Sequence, residues 1–195
     1  MVLLGTCWLF LNVLFAGTAD FYFSDKGQFI LCAGINTRAF LPPDSLPVPE
    51  KNKRLLFYLQ RSNDDNTVVY EINHTNNRLN ENAPVLINWI RYEEEGQKEE
   101  ISYIEKKFAY GIEHRKINDS NYELRLVSYS KHPLYLMNSG DNTYKVLTRI
   151  NGKLAKLERI FIQVDGGTFW SPNVTYIELR GTDVGGNVIS QRIKP

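Results

Sequence analysis

From Leu55 onward the chain is a succession of short runs rich in β-branched and aromatic residues, separated by clusters of Asn, Asp and Gly. This texture is typical of β-strands joined by tight turns. In one such run, Val68, Tyr70 and Ile72 alternate with a more mixed set, which gives the strand one apolar face. Nine strands are predicted, at residues 55–61, 67–73, 85–92, 122–129, 134–137, 144–150, 155–164, 174–181 and 188–193.

Two turn sequences predict antiparallel neighbours. Asn151-Gly152 suits a type I′ hairpin, and Gly185-Gly186-Asn187 supplies residues that tolerate positive φ. Nine short strands joined in this way predict an all-β fold, an antiparallel sandwich or open barrel.

One segment departs from the strand pattern. Ile101, Ile104 and Phe108 fall at i, i+3 and i+7, and Gly111 is placed to end a helix. We therefore expect one short helix packed against or across the sheet. Phe108 is expected to be buried, with Lys107 exposed beside it.

The first 45 residues read differently from the rest. Residues 1–19 carry no charge and are followed at once by Asp20, and Gly17 and Ala19 are small enough for signal-peptidase cleavage after Ala19. This predicts a signal peptide and an exported protein, periplasmic or extracellular; an uncleaved membrane anchor is the alternative. Residues 20–45 are predicted to form an N-terminal extension and a proline-rich linker, and residues 46–195 the β-rich domain.

Several function classes find little support. With 23 Lys and Arg against 22 Asp and Glu, the net charge of +1 creates no field that would attract nucleic acid. His74, His114 and His132 lack metal-ligand spacing, and the two cysteines lie in no zinc-type pattern, so neither a metal nor a cofactor is expected. No GxSxG motif is present, and the sequence leans away from an enzyme.

Six residues are candidates for binding a ligand. Arg61 and Asn63 end one predicted strand and Tyr70 lies on the next, a polar grouping that would orient an anionic or sugar-like ligand. Trp89 is a stacking platform or a core anchor. The predicted helix adds Lys107 and Tyr110. Structural alternatives stay open, because Arg61 can satisfy loop carbonyls and Lys107 can extend its charge from an apolar surface into water.

The order of the motifs also carries a resemblance. The motifs are LPVP, LLFYLQRS, VYEIN, KKFAYG, INGKLAKLERIF and DGGTFW. Over residues 46–195 the chain resembles a bacterial family of secreted single-domain proteins of unknown function. The resemblance implies export and a domain that begins near LPVP, and it implies no catalytic or binding residues.

Together these features predict a non-catalytic envelope protein that binds a small or glycan-like ligand. A hydrolase of envelope polymers, with Glu71 or Asp165 as one of two paired carboxylates, is the first alternative. The second is a protein-interaction module that offers a sheet edge or an aromatic surface.

Overall fold

A computed structural model describes residues 20–23, 29–32, 42–76, 78–92, 95–168 and 171–195. The predicted signal peptide, residues 1–19, lies outside these ranges. The chain divides into two compact units, Met1–Ala39 and Phe40–Pro195. In the first unit, strand β1 (Asp20–Phe23) pairs antiparallel with β2 (Phe29–Cys32), and both strands fall within residues 20–45, for which the sequence predicted an extension and a linker without naming strands.

The second unit is mostly β, as predicted. A 3₁₀ turn, Pro43–Ser45, opens it. The single helix of its described residues, α1, combines an α-helical turn, Tyr103–Glu105, with a π-helical turn, Lys106–Tyr110. Its strands are β3 (Leu55–Arg61), β4 (Asp64–Ile72), β5 (His74–Thr75), β6 (Arg78–Leu79), β7 (Val85–Arg91), β8 (Gln97–Glu100), β9 (Ile112–Asn118), β10 (Asn121–Leu126), β11 (Tyr129–Asn138), β12 (Tyr144–Ile150), β13 (Lys153–Gly167), β14 (Pro172–Asp183) and β15 (Val188–Ile193).

The long strand β13 organises the sheet. Along one side it pairs first with β12, through Lys153–Lys156, and then with β3, through Arg159–Ile162. Its other side pairs with β14, which in turn pairs with β15. Two arms therefore leave the same side of β13: the first arm is β3-β4-β7-β8 and the second arm is β12-β11-β10-β9. The sheet curls into a half-barrel whose concave face lies between the arms.

Several predicted details are confirmed. The bounds of β3, β12 and β15 match the predicted strands. Asn151 and Gly152 both adopt positive φ, of 50° and 75°, as a type I′ turn requires. Gly186, with φ of 81°, turns the chain between β14 and β15.

Other details differ for physical reasons. The predicted strand at 122–129 is two strands, because a tight turn at residues 127 and 128 separates β10 from β11 inside one apolar run. Strands β8 and β9 were not predicted, since they form sheet edges whose polar side chains lack alternation. Among the described pairs, β3 and β13 alone run parallel, which their long connection permits.

The concave face holds the main hydrophobic core. Phe57 and Tyr70 are fully buried there and stack with ring centroids 4.3 Å apart. Residues 42–50 contribute to burial elsewhere: Gln60 donates a hydrogen bond of 2.7 Å to the Pro47 carbonyl, and Leu46 is buried. Because Gln60 lies between Leu59 and Arg61 on β3, this segment, the strap, lies against the convex face.

Candidate functional site

The concave face encloses a cavity of about 340 Å³ beside the packed core. That volume lies at the lower end of the roughly 300–1,000 Å³ typical of small-molecule sites. Most of the lining is aliphatic, with a small number of polar groups among it. The lining residues are Leu59, Arg61, Phe108, Ala109, Tyr110, Leu126, Ser128, Tyr129, His132, Leu134, Ile160, Ile162, Val164, Pro172, Val174, Ile177, Leu179 and Pro195.

Strand register explains one wall of the cavity. Across the parallel pair, Leu59 lies opposite Ile160 and Arg61 opposite Ile162, and Ile177 of β14 lies opposite Ile162 on the other side. Residues that oppose one another in a sheet point to the same face. The branched side chains of Ile160, Ile162 and Val164 on β13 and those of their partners on β14 therefore form one continuous apolar surface, which Arg61 interrupts at the end of β3.

The second arm and α1 form the facing wall. Leu126 comes from β10, and His132 and Leu134 come from β11. The last turn of α1 adds Phe108, which is 60% exposed and therefore lies at the rim. The site thus depends on residues far apart in sequence that the curl of the sheet brings together.

Arg61 and Tyr110 meet at this cavity. Nη1 of Arg61 donates a hydrogen bond of 3.0 Å to the Tyr110 hydroxyl oxygen. Burial raises the pKa of Tyr110, and the positive charge of Arg61 acts against that shift. Because the ordinary pKa of a tyrosine is already near 10, the hydroxyl stays protonated at neutral pH. A guanidinium and a phenol therefore present adjacent donors to an otherwise apolar space.

Tyr70 and Trp89 hold Tyr110 in place from behind. The Tyr70 hydroxyl donates a 2.9 Å hydrogen bond to the main-chain carbonyl of Tyr110, and the Trp89 ring meets the Tyr110 ring edge-on at 5.1 Å. Trp89 Nε1 donates to Glu105 on the same helix, at 3.2 Å. Both Tyr70 and Trp89 are buried, so they position the site and do not line the cavity.

The remaining two candidates lie elsewhere. Asn63 lines a shallow recess together with Arg61, Asp64 and the Gly166-Gly167 turn, outside the main cavity. Lys107 is exposed, with its Nζ 5.9 Å from the Tyr103 ring centroid and 5.3 Å from that of Phe108. The structure therefore brings four of the six candidates into one connected cluster, whereas neither Asn63 nor Lys107 lines the main cavity.

The predicted helix exists, but its expected buried face is wrong. Ile101 is buried, whereas Ile104 and Phe108 are 49% and 60% exposed. The helix begins with a capping box between Ser102 and Glu105, so Ile101 precedes it and is not part of its face. The π-helical turn then rotates the last residues so that Tyr110, not Phe108, enters the core.

Gly111 directly follows the last helical residue, where the sequence predicted the end of the helix. Its φ of −63° lies outside the left-handed region, so the backbone conformation at this position does not itself require glycine. A Cβ at this position would instead lie 1.8 Å from the carbonyl oxygen of Lys106. The carbonyl of Gly111 accepts a hydrogen bond of 3.0 Å from Val127, in the turn between β10 and β11. The main-chain carbonyl of Tyr110 therefore accepts a hydrogen bond from the first arm, and that of Gly111 accepts one from the second arm.

His132 is a site residue that the sequence did not single out. Thr148 donates its hydroxyl proton to the Pro133 carbonyl, at 3.1 Å, so the 2.8 Å contact between His132 Nε2 and Thr148 Oγ1 requires an N–H on the histidine. Burial lowers the pKa of His132, which favours the neutral ring. A lone histidine before proline gave no pattern from which this position could have been found.

Glu71, proposed as one of two paired carboxylates of a hydrolase, forms contacts with an amide and a lysine. Its buried carboxylate accepts hydrogen bonds from Lys98 and Asn52. Asp165 lies near the end of β13, before the two glycines with positive φ. Within the described ranges no group of three or more His, Cys, Asp or Glu is arranged to hold a metal ion.

Fold and site together define a curled β half-barrel with an apolar cavity and one polar corner. A family model, Domain of unknown function (DUF4833), matches residues 57–192, and the chain belongs to that family. The match spans every lining residue of the cavity except Pro195. Neither the search of curated proteins nor the search of solved structures returned a match. None of the described helices has the length and apolar character needed to cross a membrane.

Proposed function

We propose that this protein binds a small apolar molecule, without chemical transformation, in the cavity between the two arms. The observation that carries the proposal is a cavity of about 340 Å³ lined by aliphatic side chains from five strands and one helix. Burial of apolar ligand surface against such a lining is favourable by about 25 cal/mol per Å². The sparse polar groups would orient the ligand, as is usual in small-molecule sites.

The lining favours an apolar ligand over the glycan-like one expected from the sequence. A glycan would lose hydrogen bonds from its hydroxyls to water, and buried polar groups without partners are costly. Trp89, the residue proposed as a stacking platform, is only 3% exposed and packs against Tyr110. The aliphatic surface around Ile160 and Ile162 offers no replacement for those hydrogen bonds.

A fluorescence titration tests this function. N-phenyl-1-naphthylamine, a neutral probe whose emission rises in apolar surroundings, is expected to bind one site per chain. Ile162→Phe, which places extra volume in the cavity, is expected to weaken binding by tenfold or more. Ile117→Phe is the matched control, because Ile117 is 49% exposed and is not among the cavity-lining residues.

If wild-type protein, shown to be folded by circular dichroism, gives no saturable signal, the cavity does not bind apolar molecules. Equal affinity in wild type and in folded Ile162→Phe would place the probe elsewhere on the surface.

We propose further that the protein is exported. The support is the uncharged run of residues 1–19, with small residues at positions 17 and 19 and Asp20 directly after. N-terminal sequencing of the protein from its native host is expected to begin at Asp20. An intact Met1 in a soluble cytoplasmic fraction would refute export.

A further inference from the structure

Arg61, which is partly buried, differs from the buried Arg159 in its electrostatic surroundings. Arg159 is bound by two carboxylates, those of Asp44 at 3.2 Å and Glu178 at 3.1 Å. Arg61 forms no ion pair with any carboxylate of the described residues, and its side chain donates to Tyr110 alone among them. Its neighbour across the hairpin, Asp64, accepts a hydrogen bond from the main chain of Asn66 at 2.9 Å.

The guanidinium therefore has donors available where it faces the cavity. Arginine carries five N–H donors in a planar fork, and one hydrogen bond to Tyr110 leaves most of them for another partner. The Tyr110 hydroxyl adds a further donor, because it uses an oxygen lone pair to accept from Arg61 and retains its own proton. These donors lie side by side, so an acceptor with two oxygens fits them better than a single carbonyl.

Both donors are held in place before a ligand binds. Arg61 is anchored by the register of β3 with β13, opposite Ile162, and by the hairpin to β4. Tyr110 is fixed by the hydrogen bond from Tyr70 and by the edge-on contact with Trp89. Preorganised donors cost little entropy on binding, which strengthens selective recognition.

The rest of the cavity lining determines the chemistry of the part of the ligand that does not contact Arg61. Arg61 is the single permanently charged side chain among the described lining residues, and burial keeps His132 toward its neutral form. Branched aliphatic residues such as Ile160, Ile162 and Ile177 surround the polar corner. A volume of about 340 Å³ suits one hydrocarbon chain or one ring system better than a lipid with several chains.

We propose that the ligand is a single-chain amphiphile with an anionic oxygen head group, a carboxylate or a phosphate. The head group binds the Arg61 guanidinium and the Tyr110 hydroxyl, and the hydrocarbon fills the aliphatic part of the cavity. This inference rests on the proposed function and specifies its ligand. It assigns Arg61 as the residue that selects acids over neutral molecules of the same length.

Competition against the neutral probe tests the inference. Decanoate, decyl phosphate, decan-1-ol and decylammonium share one chain length and differ in head group. Decanoate or decyl phosphate is expected to displace N-phenyl-1-naphthylamine at a concentration about tenfold or more below that of decan-1-ol, as expected for charge-assisted hydrogen bonds. Decylammonium is expected to be the weakest. The stronger of the two anions identifies the head group.

Substitutions assign the selectivity to Arg61. Arg61→Met is expected to remove the advantage of the anions while the neutral probe still binds. Arg115→Met is the matched control, because Arg115 is exposed on β9 and pairs with Glu123, and this variant is expected to keep the full preference. If Arg61→Met fails to fold, Tyr110→Phe removes one donor and is expected to weaken anion binding severalfold with decan-1-ol unchanged.

Two results would overturn the inference and leave the proposed function intact. One is equal displacement by decan-1-ol and by both anions, and the other is an anion preference that survives in folded Arg61→Met. If the neutral probe does not bind to the wild-type protein, that result would instead contradict the proposed function itself. The two failures are therefore distinguishable.

Discussion

The hydroxyl of Tyr70, buried on β4, donates a 2.9 Å hydrogen bond to the main-chain carbonyl of Tyr110 at the end of α1. This bond joins the first arm of the sheet to the helix that borders the cavity. Burial raises the pKa of Tyr70 well above its ordinary value, with neighbouring Tyr110 adding to the shift, so the hydroxyl remains a donor. The next residue, Gly111, accepts from Val127 of the second arm. The end of the helix is therefore tied to both walls of the site.

Tyr70→Phe tests this connection. The substitution keeps the ring stacked on Phe57 and removes only the donor, leaving the Tyr110 carbonyl without its partner. The free energy of unfolding is expected to fall by about 1–3 kcal/mol. Urea denaturation measures the change, with Tyr103→Phe as control because Tyr103 is 74% exposed. Equal losses in the two variants would show that the bond contributes nothing specific.

Gly111→Ala tests the close approach at the end of the helix. The added methyl group would lie 1.8 Å from the Lys106 carbonyl oxygen, so the last turn must open. A loss of about 1–3 kcal/mol or more is expected, measured by thermal or urea unfolding. Gly185→Ala is the comparison, since its nearest neighbours are the side-chain ends of Asn187 and Asp183, at 3.1 Å and 3.3 Å. Wild-type stability in Gly111→Ala would contradict the geometry described here.

The exposed face of α1 gives a third prediction. Phe108 is 60% exposed, so Phe108→Ser is expected to change the free energy of unfolding by no more than about 0.5 kcal/mol. Phe57→Ala, which removes a ring with 1% exposure, is expected to cost about 3–5 kcal/mol. Chemical denaturation of both variants compares them directly. A large decrease in the free energy of unfolding of Phe108→Ser would contradict this exposure and would support the buried position that the sequence pattern predicted for Phe108.

The strap is expected to stabilise the domain by packing against the convex face through Leu46. Leu46 is 4% exposed and Val48 is 63% exposed, although only one residue separates them. Leu46→Ala is expected to destabilise the domain by about 2–5 kcal/mol, whereas Val48→Ala should have an effect within about 0.5 kcal/mol. Differential scanning calorimetry of the two variants measures both. Identical melting temperatures would mean that the strap contributes no packing energy.

The pH dependence of stability follows from His132. Burial lowers its pKa below the ordinary value near 6.5, so the unfolded state binds a proton more readily than the folded state. Its contribution to stability is therefore fully present above about pH 6.5 and is lost as the pH falls through the lower folded pKa. Urea midpoints measured across this range are expected to fall less steeply in His132→Gln than in wild type. An unchanged slope in His132→Gln would refute the assignment.

Much of the fold could be predicted because its signals are local. The runs that became β3, β12 and β15 show strand composition between clear turn residues, and Asn151-Gly152 specifies its hairpin by backbone conformation alone. Strands β8 and β9 carry no such signal, because polar edge strands are specified by their partners. The turn between β10 and β11 was not predicted either, because it lies within one apolar run that shows no clear turn signal.

The site was only partly accessible from sequence. Arg61, Tyr70, Trp89 and Tyr110 were found as polar or aromatic residues at strand ends and on the helix, and they form one cluster. What the sequence could not show is that β13 carries both arms, so that Ile162 faces Leu134 and His132 across one cavity. Long-range pairing of this kind leaves no local pattern, which is also why the apolar character of the site was missed.

The most direct test of the account is an NMR measurement of contacts between bound N-phenyl-1-naphthylamine and the methyl groups of the protein. With ¹³C-labelled isoleucine, leucine and valine, intermolecular nuclear Overhauser effects are expected from Ile162, Ile177 and Leu134, which line the cavity. Val184, 94% exposed, should show none and serves as the internal control. Contacts confined to exposed methyl groups such as those of Ile104 and Val184, or the absence of any saturable contact, would contradict a ligand site between the two arms.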